Sequence, residues 1–290
     1  MYSAGFDYYR AATLAEAHQL LTAHPGAKLL AGGHSLIPLL KLRLTTAEAV
    51  VDIGRVAELR GVTVVGDTIH IGALATHAEV AISAEVMLRA RALADAAGVT
   101  GDPQVRNRGT IGGNVAHADP ASDLPIALVA LKARILASGP AGERAIDAAA
   151  FFTGIMSTAL GHDEIVTAIV VPCAQRGQGS AYVKFKHPAS GYAVIGAAAA
   201  VTLREGLCAS AEVAVGGLLP HAVRAPSVER ALVGKPSTAD AAADAAALVV
   251  EDLGTEVMGD LFASGEYRKA TAAVYVKRAI AAAIERANVA

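Results

Sequence analysis

Two glycine pairs, each surrounded by small polar residues, restrict the fold of this chain more than any other feature. One pair lies in the first glycine loop, Ala31-Gly32-Gly33-His34-Ser35-Leu36, and the other in the second glycine loop, Thr110-Ile111-Gly112-Gly113-Asn114. Glycine reaches positive φ without steric cost and leaves no Cβ between main-chain N–H groups and a ligand, which suits phosphate oxygens. Two such loops could hold one pyrophosphate from both sides. Each pair alone is more typical of a tight turn after a strand.

The first 53 residues predict a small α/β unit. Thr13-Leu14-Ala15-Glu16 matches a capping box, which predicts a helix from there to about His24. The apolar stretch 28–31 predicts a short buried strand that leads into the first glycine loop, and 49–53 predicts a second strand. A ligand facing the end of the first strand would therefore meet the glycine pair.

Residues 54–174 predict a mixed unit of helices and strands. A hairpin is expected over 62–71, and a second capping box, Thr76-His77-Ala78-Glu79, predicts a helix through about residue 97. The segment 98–114 is rich in Gly, Asp, Pro, Asn and Arg, so we expect a long irregular loop that ends in the second glycine pair. A helix over 124–130 and strands over 132–137 and 164–171 complete this unit.

A change in composition over 175–180 predicts a domain boundary. Two long strands are expected beyond it, at 192–203 and 207–216, followed by helices at about 238–253 and 266–287. Strands followed by helices indicate an α+β arrangement.

Composition excludes several classes of function. The 290 residues include 25 basic and 27 acidic side chains, so no basic field favours nucleic-acid binding. The two cysteines are too few for an iron–sulfur cluster, which needs about four thiolates. The nine histidines form no metal-site pattern. No leader or membrane-spanning run is evident, so we expect a cytoplasmic protein, attached at most peripherally to the inner face of the membrane through a partner.

Several motifs together carry a family resemblance. The first glycine loop, the run 102–109 leading into the second, Tyr182 to Lys186, Tyr192 and Tyr267-Arg268 resemble the FAD-binding medium subunit of molybdenum hydroxylases. That family includes xanthine dehydrogenase and carbon monoxide dehydrogenase, and the medium chain of the latter is the closer likeness.

The resemblance implies a complete architecture. Two lobes, 1–53 (α/β) and 54–174 (α+β), would form a PCMH-type FAD-binding region, and an α+β domain with an antiparallel sheet, 175–290, would cover the flavin. A large subunit would carry the molybdenum cofactor and a small subunit the 2Fe–2S clusters, assembled as a dimer of heterotrimers (a heterohexamer). FAD in this chain would accept electrons from the clusters and pass them to a quinone, NAD or oxygen.

The resemblance also implies the site residues. The amides of both glycine loops would donate to the pyrophosphate of FAD, Asp123 would bind cofactor hydroxyls, Ile165 would add a main-chain contact, Lys186 would lie on the cofactor, and Tyr192 would contact the isoalloxazine ring. Ordinary alternatives stay open: Asp123 could cap the helix that begins near it, Lys186 could be solvated and Tyr192 could pack in a strand. Asp119 is expected in a turn or cap.

Other interpretations remain at this point. Gly-Gly-His-Ser also resembles the covalent flavin-attachment loop of some oxidases, which would make the protein a stand-alone FAD oxidase linked through His34. A cofactor-free assembly subunit is a further alternative. Arg106 and Arg108 could neutralise phosphate or dock a partner subunit, and an internal ion pair of either with Asp102 that stiffens their loop is the slightly favoured alternative. Carbon monoxide, an N-heterocycle and an aldehyde all stay open as substrates of the complex.

Overall fold

The computed structural model describes residues 2–289, and its N-terminal part is a three-stranded parallel sheet with two helices. Its elements are β1 (Asp7–Arg10), α1 (Leu14–Ala23), β2 (Lys28–Leu30), α2 (Leu36–Lys41) and β3 (Ala49–Asp52), with the strand order β1-β3-β2. The Thr13 hydroxyl accepts the N–H of Glu16 and caps α1, as its sequence predicts. Strand β2 ends immediately before the first glycine loop, so the sheet sets the position of that loop.

The middle part is built on a five-stranded antiparallel sheet in the order β4-β5-β10-β6-β7. A 3₁₀ turn at Ala57–Leu59 precedes it. Its elements are β4 (Val62–Val65), β5 (Thr68–Gly72), α3 (His77–Ile82), α4 (Ala84–Arg89), α5 (Arg91–Val99), α6 (Pro103–Arg106), α7 (Ile111–His117), α8 (Asp123–Ala130), β6 (Arg134–Gly139), β7 (Gly142–Asp147), α9 (Ala148–Phe151), β8 (Phe152–Gly154), β9 (Ser157–Thr158) and β10 (Ile165–Pro172). Helix α8 is buried along its whole length because it packs against α5 and against strands β12 and β13 of the C-terminal sheet.

The C-terminal part is a four-stranded antiparallel sheet with helices packed on it. Its elements are β11 (Gln178–Lys186), β12 (Ala193–Arg204), β13 (Leu207–Gly216), β14 (Val223–Arg224), α10 (Pro226–Leu232), α11 (Ala239–Ala247), α12 (Val249–Asp252) and α13 (Gly265–Val289). Strand β12 is alanine-rich and buried on both faces, since α13 covers one face and α8 the other. At Gly179 a Cβ would lie 2.2 Å from the carbonyl oxygen of Ala283, so α13 can approach β11 only because that residue is glycine.

Arg268 fixes the start of α13 to this sheet. Its buried guanidinium donates to the carbonyl oxygens of Gly217 (2.6 Å), Ala263 (3.2 Å) and Val194 (3.4 Å), and to the Asp260 carboxylate at 2.6 Å. These bonds join the last helix to both central strands.

Two sequence-based predictions of elements are wrong, and one strand was missed. The helix expected through residue 97 is broken into α3, α4 and α5, because Ser83 and Ala90 adopt non-helical backbone angles at the junctions. The irregular loop expected over 98–114 contains α6, and the second glycine pair lies in the first turn of α7. Strand β11 was not predicted, although it carries Tyr182 to Lys186.

No described helix between residues 2 and 289 combines the length and apolar character that crossing a bilayer requires.

Candidate functional site

A cleft of about 450 Å³ lies where the three sheets meet, and both glycine loops line it. The predicted residues that line it are Ala31, Gly32, Gly33, His34, Ser35, Leu36, Thr110, Gly112, Gly113, Asn114, Asp123, Ile165 and Tyr192. Of the other two, Ile111 is fully buried beneath the second loop, and Lys186 is exposed at the end of β11. Segments far apart in the sequence therefore form one wall.

The first glycine loop contacts the residues that lead into the second one. A Cβ on Gly32 would lie 2.2 Å from the carbonyl oxygen of Arg108, so this glycine is required for close approach of the two main chains. Gly33 has φ +79°, in the region that favours glycine. A Cβ on Gly112 would lie 2.5 Å from that of Ala73. Each of these glycines therefore has a steric reason that does not depend on a ligand.

The first loop presents free main-chain donors. The N–H groups of Gly32, Gly33, His34 and Ser35 have no acceptor among residues 2–289. They lie together on one loop at the cleft, and Gly32 and Gly33 place no side chain over their own amides. Unpaired N–H groups at a loop of this kind favour an anionic ligand.

The second loop differs, and here the prediction that both loops donate main-chain amides is wrong. The N–H of Ile111 donates to Ala75 O at 2.9 Å and that of Gly112 to Ala73 O at 2.9 Å, because residues 73–77 run alongside the loop. Gly113 N donates to the Thr110 hydroxyl at 3.2 Å, and Asn114 N donates to the Thr110 carbonyl at 2.9 Å. All four N–H groups are already used within the chain.

The second loop instead offers side-chain donors. The Thr110 hydroxyl accepts from Gly113, and its own hydrogen has no acceptor in the described part of the chain. The Asn114 carbonyl oxygen accepts from the Ser122 hydroxyl at 2.8 Å, which leaves the Asn114 amide nitrogen free to donate. Both side chains belong to the cleft wall.

Asp123 is a buried carboxylate that also lines the cleft. Its Oδ1 accepts the Tyr182 hydroxyl at 2.6 Å, and its Oδ2 accepts Lys184 Nζ at 2.9 Å and the Thr100 hydroxyl at 3.3 Å. Burial raises the pKa of Asp123, and the Lys184 charge and the hydrogen bonds offset part of that rise. Its carboxylate accepts from no main-chain N–H between residues 2 and 289, so the expected alternative of a helix cap is wrong. Asp119 does hold a turn, accepting Ala121 N at 2.9 Å.

Tyr192 lies at the end of the turn 187–192, which joins β11 to β12. Its side chain lines the cleft, and burial, followed by the nearby charges of Asp119 and Asp123, raises its pKa. Lys186 lies beside this turn: its Cε is 3.4 Å from the position that a Cβ on Gly191 would take. Contact of Lys186 and of Tyr192 with a cofactor stays a prediction.

Sequence reasoning missed two residues of this site. Lys184 was overlooked, although it lies two residues after Tyr182 in β11. Residues two apart on a strand face the same side of the sheet, so the two side chains share a face. His77 was recognised only as part of a capping box, and that box is confirmed by reciprocal bonds between Thr76 and Glu79.

His77 lies deep in the cleft wall. It is 3% exposed, its Nδ1 has no partner in the described chain, and its ring edge packs against Gly109. Burial, followed by the charges of Arg106 and His34, lowers its pKa from 6.5 to about 4. The cleft therefore contains a neutral imidazole at physiological pH.

The predicted ion pair around Asp102 is wrong. The Asp102 carboxylate caps α6 by accepting Val105 N at 2.9 Å, and Arg106 donates to the carbonyl oxygens of Thr100 and Gly101 at 3.1 Å each. Arg108 is exposed and lines a neighbouring groove of about 880 Å³ on the other side of the first glycine loop.

Comparison with known families covers nearly the whole chain. Residues 4–174 match the family model described as the FAD binding domain in molybdopterin dehydrogenase, and residues 180–283 match that of the CO dehydrogenase flavoprotein C-terminal domain.

Individual relatives agree with these matches. The carbon monoxide dehydrogenase medium chain of Hydrogenophaga pseudoflava is 38% identical over 97% of this chain and 98% of its own length. Subunit alpha of the 6-hydroxypseudooxynicotine dehydrogenase complex of Paenarthrobacter nicotinovorans is 35% identical over 98% and 96%. A solved structure of the H. pseudoflava carbon monoxide dehydrogenase, in a form lacking the Mo-pyranopterin moiety of the molybdenum cofactor, superposes with a TM-score of 0.94 at 39% identity over 99% of both chains.

Proposed function

The chain belongs to the family of FAD-binding medium subunits of molybdenum hydroxylases, and we propose that it carries electrons within such a complex. In this proposal FAD in the cleft accepts electrons from the 2Fe–2S clusters of a small partner subunit and passes them to an external acceptor. A large partner subunit binds the molybdenum cofactor and oxidises the substrate. The three subunits assemble as a dimer of heterotrimers.

The observation that carries this proposal is the set of unpaired donors at one end of the cleft. Four N–H groups of the first glycine loop, the Thr110 hydroxyl and the Asn114 amide nitrogen all lack acceptors in the described chain. A pyrophosphate supplies several acceptor oxygens, and hydrogen bonds to a charged group contribute about 1.5–3 kcal/mol each. The residues present therefore fit the diphosphate of FAD.

The remainder of the cleft fits the rest of the cofactor. Of the about four acceptor sites of a carboxylate, Asp123 uses three for its partners, so it can accept one hydroxyl hydrogen from a ribityl chain. Tyr192 supplies an aromatic face at the same end. We propose that the ring of the flavin lies against Tyr192, with Lys186 at its edge and Ile165 contributing its main chain.

The chain itself orients and shields the cofactor. Bound FAD supplies the redox chemistry, since a flavin can take up electrons singly and release them as a pair. The neutral His77 adds no charge to the wall near the glycine loops, and Tyr192 limits access at the other end. In this proposal the ranges 1–53, 54–174 and 175–290 act as two FAD-binding lobes and a covering domain.

Flavin content tests the proposal. The purified full chain should contain one FAD for each polypeptide, and acid precipitation should release it, since we expect no covalent bond to His34. Gly33→Val should lose the flavin because its φ of +79° strains any side chain in the first loop. Gly66→Val is the matched control: its φ is +57°, with no atom within 4 Å of a Cβ, and it lies in the β4–β5 turn away from the cleft. Equal FAD content in both variants would contradict the assignment.

The substrate is determined elsewhere in the complex. The two relatives above are named for carbon monoxide and for 6-hydroxypseudooxynicotine, although each is at least 35% identical to this chain. We favour a carbon monoxide dehydrogenase-like assembly, with an N-heterocycle or aldehyde hydroxylase as the alternative. Identification of the co-purifying subunits and of the substrate that reduces the bound flavin would decide between them.

A further inference from the structure

Lys184 uses all three of its ammonium hydrogens inside the protein. Its Nζ donates to Asp123 Oδ2 at 2.9 Å, to the Val99 carbonyl oxygen at 2.9 Å and to the Gly191 carbonyl oxygen at 2.8 Å. The side chain is only 4% exposed. A lysine is rarely buried to this degree unless its charge is paired.

The three acceptors belong to three separate segments of the cleft wall. Val99 immediately precedes Thr100, which lines the cleft; Asp123 lines it directly; and Gly191 adjoins Tyr192. Lys184 itself does not line the cleft. Any influence on a ligand must therefore pass through the residues that it holds.

The turn 187–192 has few other attachments to this wall. Its remaining hydrogen bonds in the described part of the chain lie within the turn, such as Gly191 N to His187 O at 2.9 Å and His187 N to Tyr192 O at 2.8 Å. Outside the turn, the His187 ring packs on Phe262, which precedes α13, with centroids 4.6 Å apart. At the start of β12, Ala193 N donates to Ala121 O at a longer 3.2 Å. The bond from Lys184 to Gly191 is thus the charged link between the turn and Asp123.

We propose that Lys184 is a positioning residue that holds the Tyr192 turn against Asp123 and thereby controls how far the flavin ring is open to external molecules. The inference rests on the proposed function, because it requires FAD in the cleft with its ring at Tyr192. Loss of the lysine frees the Gly191 carbonyl and lets the turn move outward. It also leaves the Asp123 carboxylate buried without its counter-charge.

The charged surroundings of Asp123 give this role a pH signature. The groups facing it are Tyr182 and Lys184 from β11, Thr100 from the end of α5 and Tyr192 from the turn, with Asp119 near Tyr192. Removal of Lys184 removes the only cation in this set, so the pKa of Asp123 rises further. In this proposal the carboxylate form of Asp123 accepts a cofactor hydroxyl, so FAD affinity falls when Asp123 is protonated. In a variant without Lys184, this fall should begin at a higher pH than in the wild type.

The test compares FAD-loaded full-length wild type with Lys184→Met, Lys184→Gln and the exposed-lysine control Lys277→Met. Ring access is measured by quenching of flavin fluorescence with acrylamide, which is uncharged and so insensitive to the change in charge. We expect Lys184→Met to retain FAD and to show about tenfold greater quenching, the population shift for loss of one charge-assisted hydrogen bond. Lys184→Gln, which keeps two donors, should lie between Lys184→Met and the wild type. The pH midpoint of FAD binding should rise in both Lys184→Met and Lys184→Gln, because both remove the cation beside Asp123, and should stay unchanged in Lys277→Met.

Each outcome decides a different point. A wild-type protein without FAD would overturn the proposed function and this inference with it. FAD-loaded Lys184→Met with the quenching and pH midpoint of the wild type would overturn the positioning role alone. Loss of FAD from both Lys184 variants would also overturn it, because a positioning role leaves the donors of the first glycine loop intact.

Discussion

The neutral histidine in the cleft wall makes a quantitative prediction about acid stability. His77 is 3% exposed, and its folded-state pKa is about 4 instead of 6.5. Because the folded-state value is depressed, the stabilising contribution is fully present above pH 6.5 and is lost as the pH falls toward 4. The perturbation is the substitution His77→Leu, which replaces the imidazole with an apolar side chain of similar size and so removes the titrating group.

The magnitude follows from proton linkage. Between the two pKa values the unfolded chain binds a proton that the folded chain does not, and each pH unit costs about 1.4 kcal/mol of stability. From pH 8 to pH 5 this group alone should lower the free energy of unfolding by about 2 kcal/mol, and by about 3 kcal/mol once the pH is below both values. Such losses are a large part of the roughly 5–15 kcal/mol typical of a native domain.

The assay is urea unfolding of the wild type and His77→Leu at intervals from pH 8 to pH 5, with the exposed His162→Leu as matched control. We expect the decrease in unfolding free energy over this range to be about 2 kcal/mol smaller in His77→Leu than in the other two proteins. The comparison uses differences between pH values, so any constant effect of the substitution cancels. Parallel pH curves for the wild type and His77→Leu would refute the reasoning.

Two further predictions concern close packing. Gly32→Ala should reduce FAD affinity because its Cβ would lie 2.2 Å from the Arg108 carbonyl oxygen and force the glycine loops apart. The control Gly98→Ala, whose Cβ has its nearest neighbour at 3.9 Å, should bind FAD normally. Equilibrium dialysis with FAD compares the two variants. Arg268→Met should lower the free energy of unfolding by about 3 kcal/mol because it leaves buried carbonyls unpaired. The exposed Arg176→Met should change it by less than about 0.5 kcal/mol in the same urea unfolding assay, and equal effects would contradict the role of Arg268.

Several parts of the fold could be predicted because they depend on neighbours in the sequence. The Thr13 cap and the Thr76 capping box begin helices in the structure, and the hairpin over 62–71 forms around its Gly66 turn. Helix caps and hairpin turns are set by contacts within a few residues, so local rules find them. The break at Ser83 also has a local signal, since its hydroxyl accepts the N–H of Val86 and caps α4, whereas Ala90 at the next break offers no side-chain cap that a local rule could find.

Some features of the candidate site could likewise be predicted from the sequence, whereas others depend on contacts between distant residues. The sequence alone determined the family, the two glycine loops and the general location of a cofactor cleft, because those motifs are short and their geometry is local. Only the tertiary structure decided that the amides of Ile111 and Gly112 are used by Ala75 and Ala73, and that Lys184 is the lysine paired with Asp123. The physical reason is that hydrogen-bond donors and buried charges are satisfied by whichever partner packing brings near, and that partner is often distant in the chain.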